Sequence, residues 1–225
     1  MTKQHRFETL CLHQGQVPDP TTGARGVPVH RTSSYSFKST EHAANLFSLK
    51  EKGNIYSRIM NPTQEVLEER MTALEGGGGA LALASGTSAI HYTLLNICRA
   101  GDELVSSNML YGGTHTMLAS ILPRQGIITR FADPRQPDDL EGLITEKTRA
   151  LFIESIGNPT LEFTDMEAVA AIAHRHHLPL IVDATFTTPY LLQSIEHGAD
   201  IVIHSLTKWI GGHGTAIGGV VVDSG

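Results

Sequence analysis

Short apolar runs that alternate with amphipathic segments constrain the fold of this chain more than any other feature. The amphipathic segments cover residues 87–99, 114–124, 136–146 and 164–177 and predict helices. Apolar strands that alternate with helices are typical of an α/β fold, in which helices cover both faces of a mostly parallel sheet. The predicted strands occupy residues 80–85, 103–107, 127–131, 150–155, 178–184, 199–205 and 217–223.

The last predicted strand differs from the others in its connection. It follows Lys208 after a short glycine-rich loop, which leaves no room for a helical crossover. Parallel neighbours need such a crossover, whereas antiparallel neighbours do not. We therefore expect the strand over 217–223 to lie antiparallel to its neighbour.

The composition and the apolar pattern of the chain change near residue 60. Residues 1–60 are rich in Pro, Gly, Ser and Thr and predict an extended arm that packs on something else. From Asn61, an Asn-Pro start signal precedes apolar residues at helical spacing. We expect an N-terminal arm over 1–60 and a core domain over 61–225.

Composition and charge exclude several classes of protein. The formal net charge is −6 and no run of Lys or Arg forms a basic patch, which argues against nucleic-acid binding. No apolar run is long enough to span a membrane, and the first residues lack the apolar region of a signal peptide, so a cytoplasmic location is expected. The spacing of His174, His176 and His177 fits no usual metal site, and we predict no metal.

In parallel sheets, ligands lie beyond the carboxyl ends of the strands. The run over 199–205 leads directly into Ser205, Thr207 and Lys208. A solvated surface lysine is the simplest interpretation of Lys208 taken alone. The two hydroxyls favour another one, because they suit phosphate oxygens while the lysine condenses with an aldehyde, as pyridoxal-phosphate (PLP) enzymes require.

Asp183 ends the apolar run over 178–184 with no cation beside it in the sequence. A buried carboxylate needs a partner, and a protonated pyridine nitrogen would provide one. The alternative is that Asp183 caps the segment that follows. Ser85, Gly86 and Thr87 lie between a strand and a helix, where backbone amides form an anion site, although a structural turn explains them equally well.

Two further side chains follow predicted strands. Tyr111 lies beside two glycines, where its ring could stack on a cofactor, although a core tyrosine is an equal alternative. Asn158 could donate a hydrogen bond to a ring oxygen, or it could simply form a turn before Pro159. No dinucleotide fingerprint or P-loop is present in the sequence.

Taken together and in order, these segments resemble the Cys/Met-metabolism family of PLP enzymes, whose fold is that of aspartate aminotransferase. The resemblance covers essentially the whole chain. It is carried by Tyr111 and by the motifs YSRIMNPT (56–63), ASGTSAI (84–90), ESIGNPT (154–160), VDATFTTP (182–189) and HSLTKWIGGHG (204–214).

The resemblance implies a role for each site residue. Lys208 would form the Schiff base with PLP, Asp183 would pair with the pyridine nitrogen and Tyr111 would stack on the ring. Gly86, Thr87, Ser205 and Thr207 would hold the phosphate. Tyr56 and Arg58 would reach the phosphate in a neighbouring subunit, so that a homo-oligomer, a dimer of dimers, shares its active sites.

Within the family, residues 13–37 and 41–47 look most like the O-acetylhomoserine sulfhydrylases. That likeness implies replacement at Cγ of O-acetyl-L-homoserine by sulfide or a thiol, giving homocysteine or methionine plus acetate. A cystathionine γ-synthase or methionine γ-lyase is the alternative among enzymes. Relatives continue beyond the position of Gly225 into a C-terminal domain with a substrate-binding arginine. We therefore expect that domain to be missing here, with the chain either completed by a second polypeptide or a non-catalytic fragment.

Overall fold

The computed structural model describes residues 5–225, and a seven-stranded sheet is the centre of that part of the chain. The strand order is β1-β7-β6-β5-β4-β2-β3. Strands β2 to β6 pair in parallel, whereas β7 is antiparallel to both β1 and β6. The predicted mostly parallel sheet and the antiparallel last strand are confirmed. The strands are β1 (Gly79–Leu83), β2 (Glu103–Ser107), β3 (Ile128–Ala132), β4 (Thr148–Glu154), β5 (Leu180–Asp183), β6 (Ile201–His204) and β7 (Gly219–Asp223).

The helices largely follow the predicted amphipathic segments. Two of those segments are shorter or less regular than predicted. Residues Met117–Ile121 widen into a π-helix, and Leu122–Gln125, which include Pro123, tighten into a 3₁₀-helix. The helix that begins at Pro137 ends at Glu141, with Gly142 as its C-cap. The α-helices are α1 (Phe7–His13), α2 (Thr40–Phe47), α3 (Pro62–Glu75), α4 (Gly86–Ile97), α5 (Gly112–Thr116), α6 (Pro137–Glu141), α7 (Met166–Arg175) and α8 (Thr188–Leu191).

Both faces of the sheet are covered. Successive side chains of a strand point to opposite faces. Phe152 and Ile181 lie in one apolar cluster with Leu94 of α4. Leu151 and Val182 point the other way and are also fully buried, and α7 packs against β5. The predicted layering of helices on both faces is therefore confirmed.

The chain forms two compact units, and the first ends at Arg70 while the second runs from Met71 to Gly225. In the first unit, the predicted Asn-Pro start of α3 is present. Asn61 Oδ1 accepts the N–H of Thr63 at 2.9 Å, and Asn61 Nδ2 donates to the carbonyl of His30 at 3.0 Å. The whole sheet belongs to the second unit. The predicted roles of 1–60 as an arm and 61–225 as a cofactor domain stay predictions.

Two kinds of feature are absent from residues 5–225. No helix within 5–225 has the length and apolar character needed to cross a membrane. In the same range, no group of three or more His, Cys, Asp or Glu side chains is arranged to hold a metal ion.

Phe152 tests the central position of β4. Its side chain is fully buried between β4 and the helices, so Phe152→Ala should lower the free energy of unfolding by about 3–5 kcal/mol through lost transfer energy and an unfilled cavity. Phe163, which is 60% exposed, is the matched control. Phe163→Ala should change the free energy of unfolding by no more than about 0.5 kcal/mol. Urea unfolding measures both. Equal losses would contradict this assignment of the core.

Candidate functional site

A pocket of about 570 Å³ lies in the second unit at the carboxyl ends of the parallel strands. Its volume suits a small-molecule ligand. It brings together site residues that the sequence predicted from widely separated segments. These are Gly86, Thr87, Tyr111, Asn158, Asp183, Ser205, Thr207 and Lys208.

Asp183 is the last residue of β5, and its carboxylate is held by Thr185. The N–H and Oγ1 of Thr185 both donate to Asp183 Oδ1, at 3.0 and 2.6 Å. Thr185 Oγ1 also accepts the N–H of Ser205 at 2.8 Å. Thr185 therefore links Asp183 to the segment that leads to Lys208. Sequence reasoning did not single out Thr185, although a hydroxyl two residues after a strand-end Asp is a known turn signal.

The environment of Asp183 disfavours its charge. Desolvation raises the pKa of this carboxyl, while the two hydrogen bonds from Thr185 and the electrostatic interaction with His204 act in the opposite direction. A cation bound against a carboxylate favours its ionised form. The site is therefore suited to a positively charged ligand group at Asp183.

Glu154 is a second pocket carboxyl that sequence reasoning missed. It is the last residue of β4 and the register partner of Asp183 on β5, and only 5% of its surface is exposed. Burial, followed by repulsion from Asp183, raises the pKa of Glu154 to about 8, and the backbone amides of Tyr111 and Asn158 oppose that rise. The sequence signal was a glutamate within a buried apolar run, where a charged side chain is rare.

The loop between β6 and β7 carries Lys208. The N–H of Lys208 donates to the carbonyl of Ser205 at 3.2 Å, which turns the chain just after β6. The hydroxyl of Thr207 accepts the N–H of Gly218 at 3.1 Å and thereby joins the two ends of the loop. Lys208 is exposed and lines the pocket. The predicted contact of Thr207 with phosphate stays a prediction.

The N-terminus of α4 approaches this loop closely. Ser85 caps the helix by accepting the N–H of Ser88 at 3.0 Å. A Cβ on Gly86 would lie 2.6 Å from the Cβ of Ser205, so only glycine permits this approach. The N–H groups of Gly86 and Thr87 have no acceptor within the helix, because a first turn leaves its amides unpaired. Together with the helix dipole, they form an anion site beside Ser205.

Tyr111 is positioned by its backbone and by Gly113. It immediately precedes α5, and its N–H donates to Glu154 Oε1 at 2.8 Å. A Cβ on Gly113 would lie 2.6 Å from Tyr111 Cε1, so the ring occupies space that a larger residue would take. The tyrosine is 51% exposed and lines the pocket. An aromatic face is therefore available to a ligand.

A buried pair supports the strand end next to the lysine loop. Nε2 of His204, the last residue of β6, lies 2.5 Å from Oε1 of Glu75, and both side chains are fully buried. Glu75 Oε2 also accepts the N–H of Ser194 at 3.2 Å. The two partners are 129 residues apart, so no local pattern indicated their contact.

Tyr56 and Arg58 lie in the first unit. The guanidinium carbon of Arg58 is 5.3 Å from the centroid of the Tyr56 ring, within the range of a cation–π contact. Their predicted place at a neighbouring subunit's phosphate is a property of an assembly and stays a prediction.

The chemistry of the second-unit pocket fits PLP. An anion site at Gly86 and Thr87 suits the phosphate, and Lys208 supplies an amine for the aldehyde. Asp183 forms no ion pair with Lys or Arg within residues 5–225, so a pyridinium could supply its cationic partner, and Tyr111 offers a flat aromatic surface.

The raised pKa of Glu154 makes stability depend on pH. The folded chain holds this proton up to about pH 8, whereas an unfolded glutamate loses it near pH 4.3. The ionisation of Glu154 therefore costs the folded state nothing below about pH 4.3. It lowers the free energy of unfolding progressively as the pH rises from there to about 8. Glu154→Gln cannot ionise. Its unfolding free energy relative to wild type should rise with pH across that window, by at most about 1.4 kcal/mol per pH unit. Urea unfolding at several pH values measures the difference, and a flat difference would contradict the assigned charge state.

The chain is similar to proteins of known class. Residues 8–225 match the family model described as Cys/Met metabolism PLP-dependent enzyme. Over 225 residues the chain is 52% identical to the O-acetyl-L-homoserine sulfhydrylase of Leptospira meyeri, covering all of this chain and 51% of that protein. The chain thus spans about half the length of the curated relatives it matches.

Solved structures agree with the family match. A putative O-acetylhomoserine (thiol)-lyase from Campylobacter jejuni, whose structure contains N'-pyridoxyl-lysine-5'-monophosphate, superimposes with a TM-score of 0.95 at 40% identity, over 98% of this chain and 54% of that one. A cystathionine gamma-lyase from Lactobacillus plantarum gives 0.90 at 35% identity, over 98% and 55%. With a family model matched from residue 8 to 225 and a pocket whose chemistry fits the cofactor, the chain belongs to the Cys/Met-metabolism family of PLP-dependent enzymes.

Proposed function

We propose that the protein carrying this chain replaces the acetoxy group at Cγ of O-acetyl-L-homoserine with sulfide or a thiol. The products are homocysteine or methionine plus acetate. The observation that carries this proposal is the 52% identity, along the whole chain, to the O-acetyl-L-homoserine sulfhydrylase of Leptospira meyeri. The likeness to a cystathionine gamma-lyase is lower, at 35% identity.

The pocket residues have distinct parts in this proposal. When bound, PLP supplies an aldehyde that condenses with amines and a ring that accepts electrons. Gly86 and Thr87 bind the phosphate through their amides, with Ser205 and Thr207 beside them. The face of Tyr111 orients the ring, and Asn158 donates to its phenolic oxygen.

In this proposal, Asp183 holds the proton of the ring nitrogen and Lys208 removes a proton from the substrate. The carboxylate of Asp183 holds the proton on the ring nitrogen, and Thr185 keeps that carboxylate in place through its two hydrogen bonds. Lys208 lines the pocket and contributes its side-chain amine. It bonds the cofactor at rest and removes the α proton of the substrate once the substrate amine has taken its place. A second proton is then lost from Cβ as acetate leaves Cγ. The sulfur nucleophile adds at Cγ, and protons returned to Cβ and Cα complete the exchange.

The proposed assembly is a homo-oligomer with shared sites. Arg58 and Tyr56 of one chain bind the phosphate in the neighbouring chain, because a guanidinium pairs with phosphate through two parallel hydrogen bonds. We also propose that the enzyme acts in the cytoplasm.

Borohydride labelling and a product assay test the function. In the full-length polypeptide in which these residues occur, reduction should fix a pyridoxyl group on Lys208, and mass mapping should find none on Lys147. Incubation with O-acetyl-L-homoserine and sulfide should give homocysteine and acetate in equal amounts, and Lys208→Ala should abolish both the label and the product. Release of ammonia and a keto acid without homocysteine would instead identify a γ-lyase.

Mixing variants tests the shared site. Arg58→Ala and Lys208→Ala chains each lack one component of every site. After subunit exchange, mixed dimers should regain some intact sites and bind more PLP through Lys208 than the two variants do separately. A mixture of Lys208→Ala with wild type, exchanged in the same way, gives the reference. No gain under conditions of demonstrated exchange would contradict the proposed assembly.

A further inference from the structure

Glu154 is a pocket carboxyl to which the proposed mechanism assigns no task. It lines the pocket beside Asp183, and the proposed pairing with the ring nitrogen belongs to Asp183. Glu154 Oε1 accepts the N–H of Tyr111 at 2.8 Å, and the backbone amide of Asn158 also donates to this carboxyl. A buried carboxyl kept at this position at a cost in desolvation needs a reason.

The reason lies in the way Tyr111 is held. The residue is the N-cap of α5, and no cap hydrogen bond forms from its side chain. Its ring occupies the space that a side chain at residue 113 would take, so it packs directly against the glycine backbone. The bond from the Tyr111 N–H to Glu154 therefore anchors the backbone from which the ring projects.

The neighbouring strand β5 favours the uncharged form of the Glu154 carboxyl. Glu154 and Asp183 are register partners at the ends of β4 and β5, so two charges there would repel each other at close range. A neutral carboxyl keeps a carbonyl oxygen that accepts the Tyr111 N–H, and it leaves Asp183 as the charged member of the pair. The two carboxyls can thus have different roles.

We infer that Glu154 is a positioning residue, which as an uncharged acceptor holds Tyr111 against the ring of the bound cofactor. This inference rests on the proposed roles of Tyr111 and Asp183. It assigns to Glu154 neither contact with the cofactor nor proton transfer, only the placement of the aromatic face.

Three substitutions test whether Glu154 acts as a hydrogen-bond acceptor or through its charge. Glu154→Gln keeps a neutral acceptor of the same length, and its PLP dissociation constant and the induced circular dichroism of the bound cofactor should match wild type within about twofold. Glu154→Leu removes the acceptor and should weaken PLP binding about fivefold or more and reduce the dichroism, because the Tyr111 N–H loses its partner. Glu162→Gln, a partly exposed control in the following loop, should change neither.

A double-substitution cycle shows whether Glu154 acts through the ring. In a Tyr111→Ala background, Glu154→Leu should cause no further loss of PLP affinity, because there is no longer a ring to position. An additive loss, a wild-type signal in Glu154→Leu, or equal impairment of Glu154→Gln and Glu154→Leu would overturn the inference. If Glu154→Leu does not fold, amide exchange of wild type decides, because a Tyr111 N–H that exchanges like an unprotected amide would overturn it too.

These measurements use cofactor binding and not turnover. A protein that binds PLP but makes no homocysteine would therefore contradict the proposed reaction and leave this test intact. A protein that binds no PLP would overturn both.

Discussion

The parallel register of β4, β5 and β6 places the ends of three strands at one edge of the sheet, and the site depends on this alignment. Glu154 pairs in register with Asp183, and Asp183 pairs with Ile203, two residues before Ser205. A shift of one residue in either pairing would turn these side chains to the opposite face, since successive side chains alternate. The apolar cluster behind the strands, with Phe152 and Ile181 fully buried, holds the register in place.

Hydrogen bonds then convert aligned strand ends into a site. Thr185 donates to Asp183 and accepts from Ser205, so the carboxylate and the lysine loop are held by a common hydroxyl. The fully buried contact between Glu75 and His204 secures the strand that leads into the same loop. Breaking a buried pair by removing one partner is strongly destabilising, which makes such contacts effective anchors. Lys208 therefore lies on an exposed loop whose first residues are held by these contacts.

The pocket keeps its two carboxyls in different electrostatic roles. Both are desolvated and their pKa values are raised, and repulsion between them adds to the rise at Glu154. A pyridinium at Asp183 would favour the ionised form of that residue alone. Neighbouring acids with separate protonation states are a recurrent device of enzymes. Here Asp183 accepts both hydrogen bonds of Thr185, whereas Glu154 accepts the N–H of Tyr111.

The sequence by itself determined the layers of the fold, the antiparallel last strand and the pocket positions of residues such as Asp183, Tyr111 and Lys208. Strand periodicity and strand-end polarity are local properties, and the carboxyl ends of parallel strands meet at one edge. Only the tertiary structure decided the parts played by Glu154, Thr185 and the pair of Glu75 with His204. Local signals were present at Thr185 and Glu154. Their partners Ser205 and Asp183, like the contact of His204 with Glu75, are distant in sequence, and the desolvation that burial imposes depends on the whole fold.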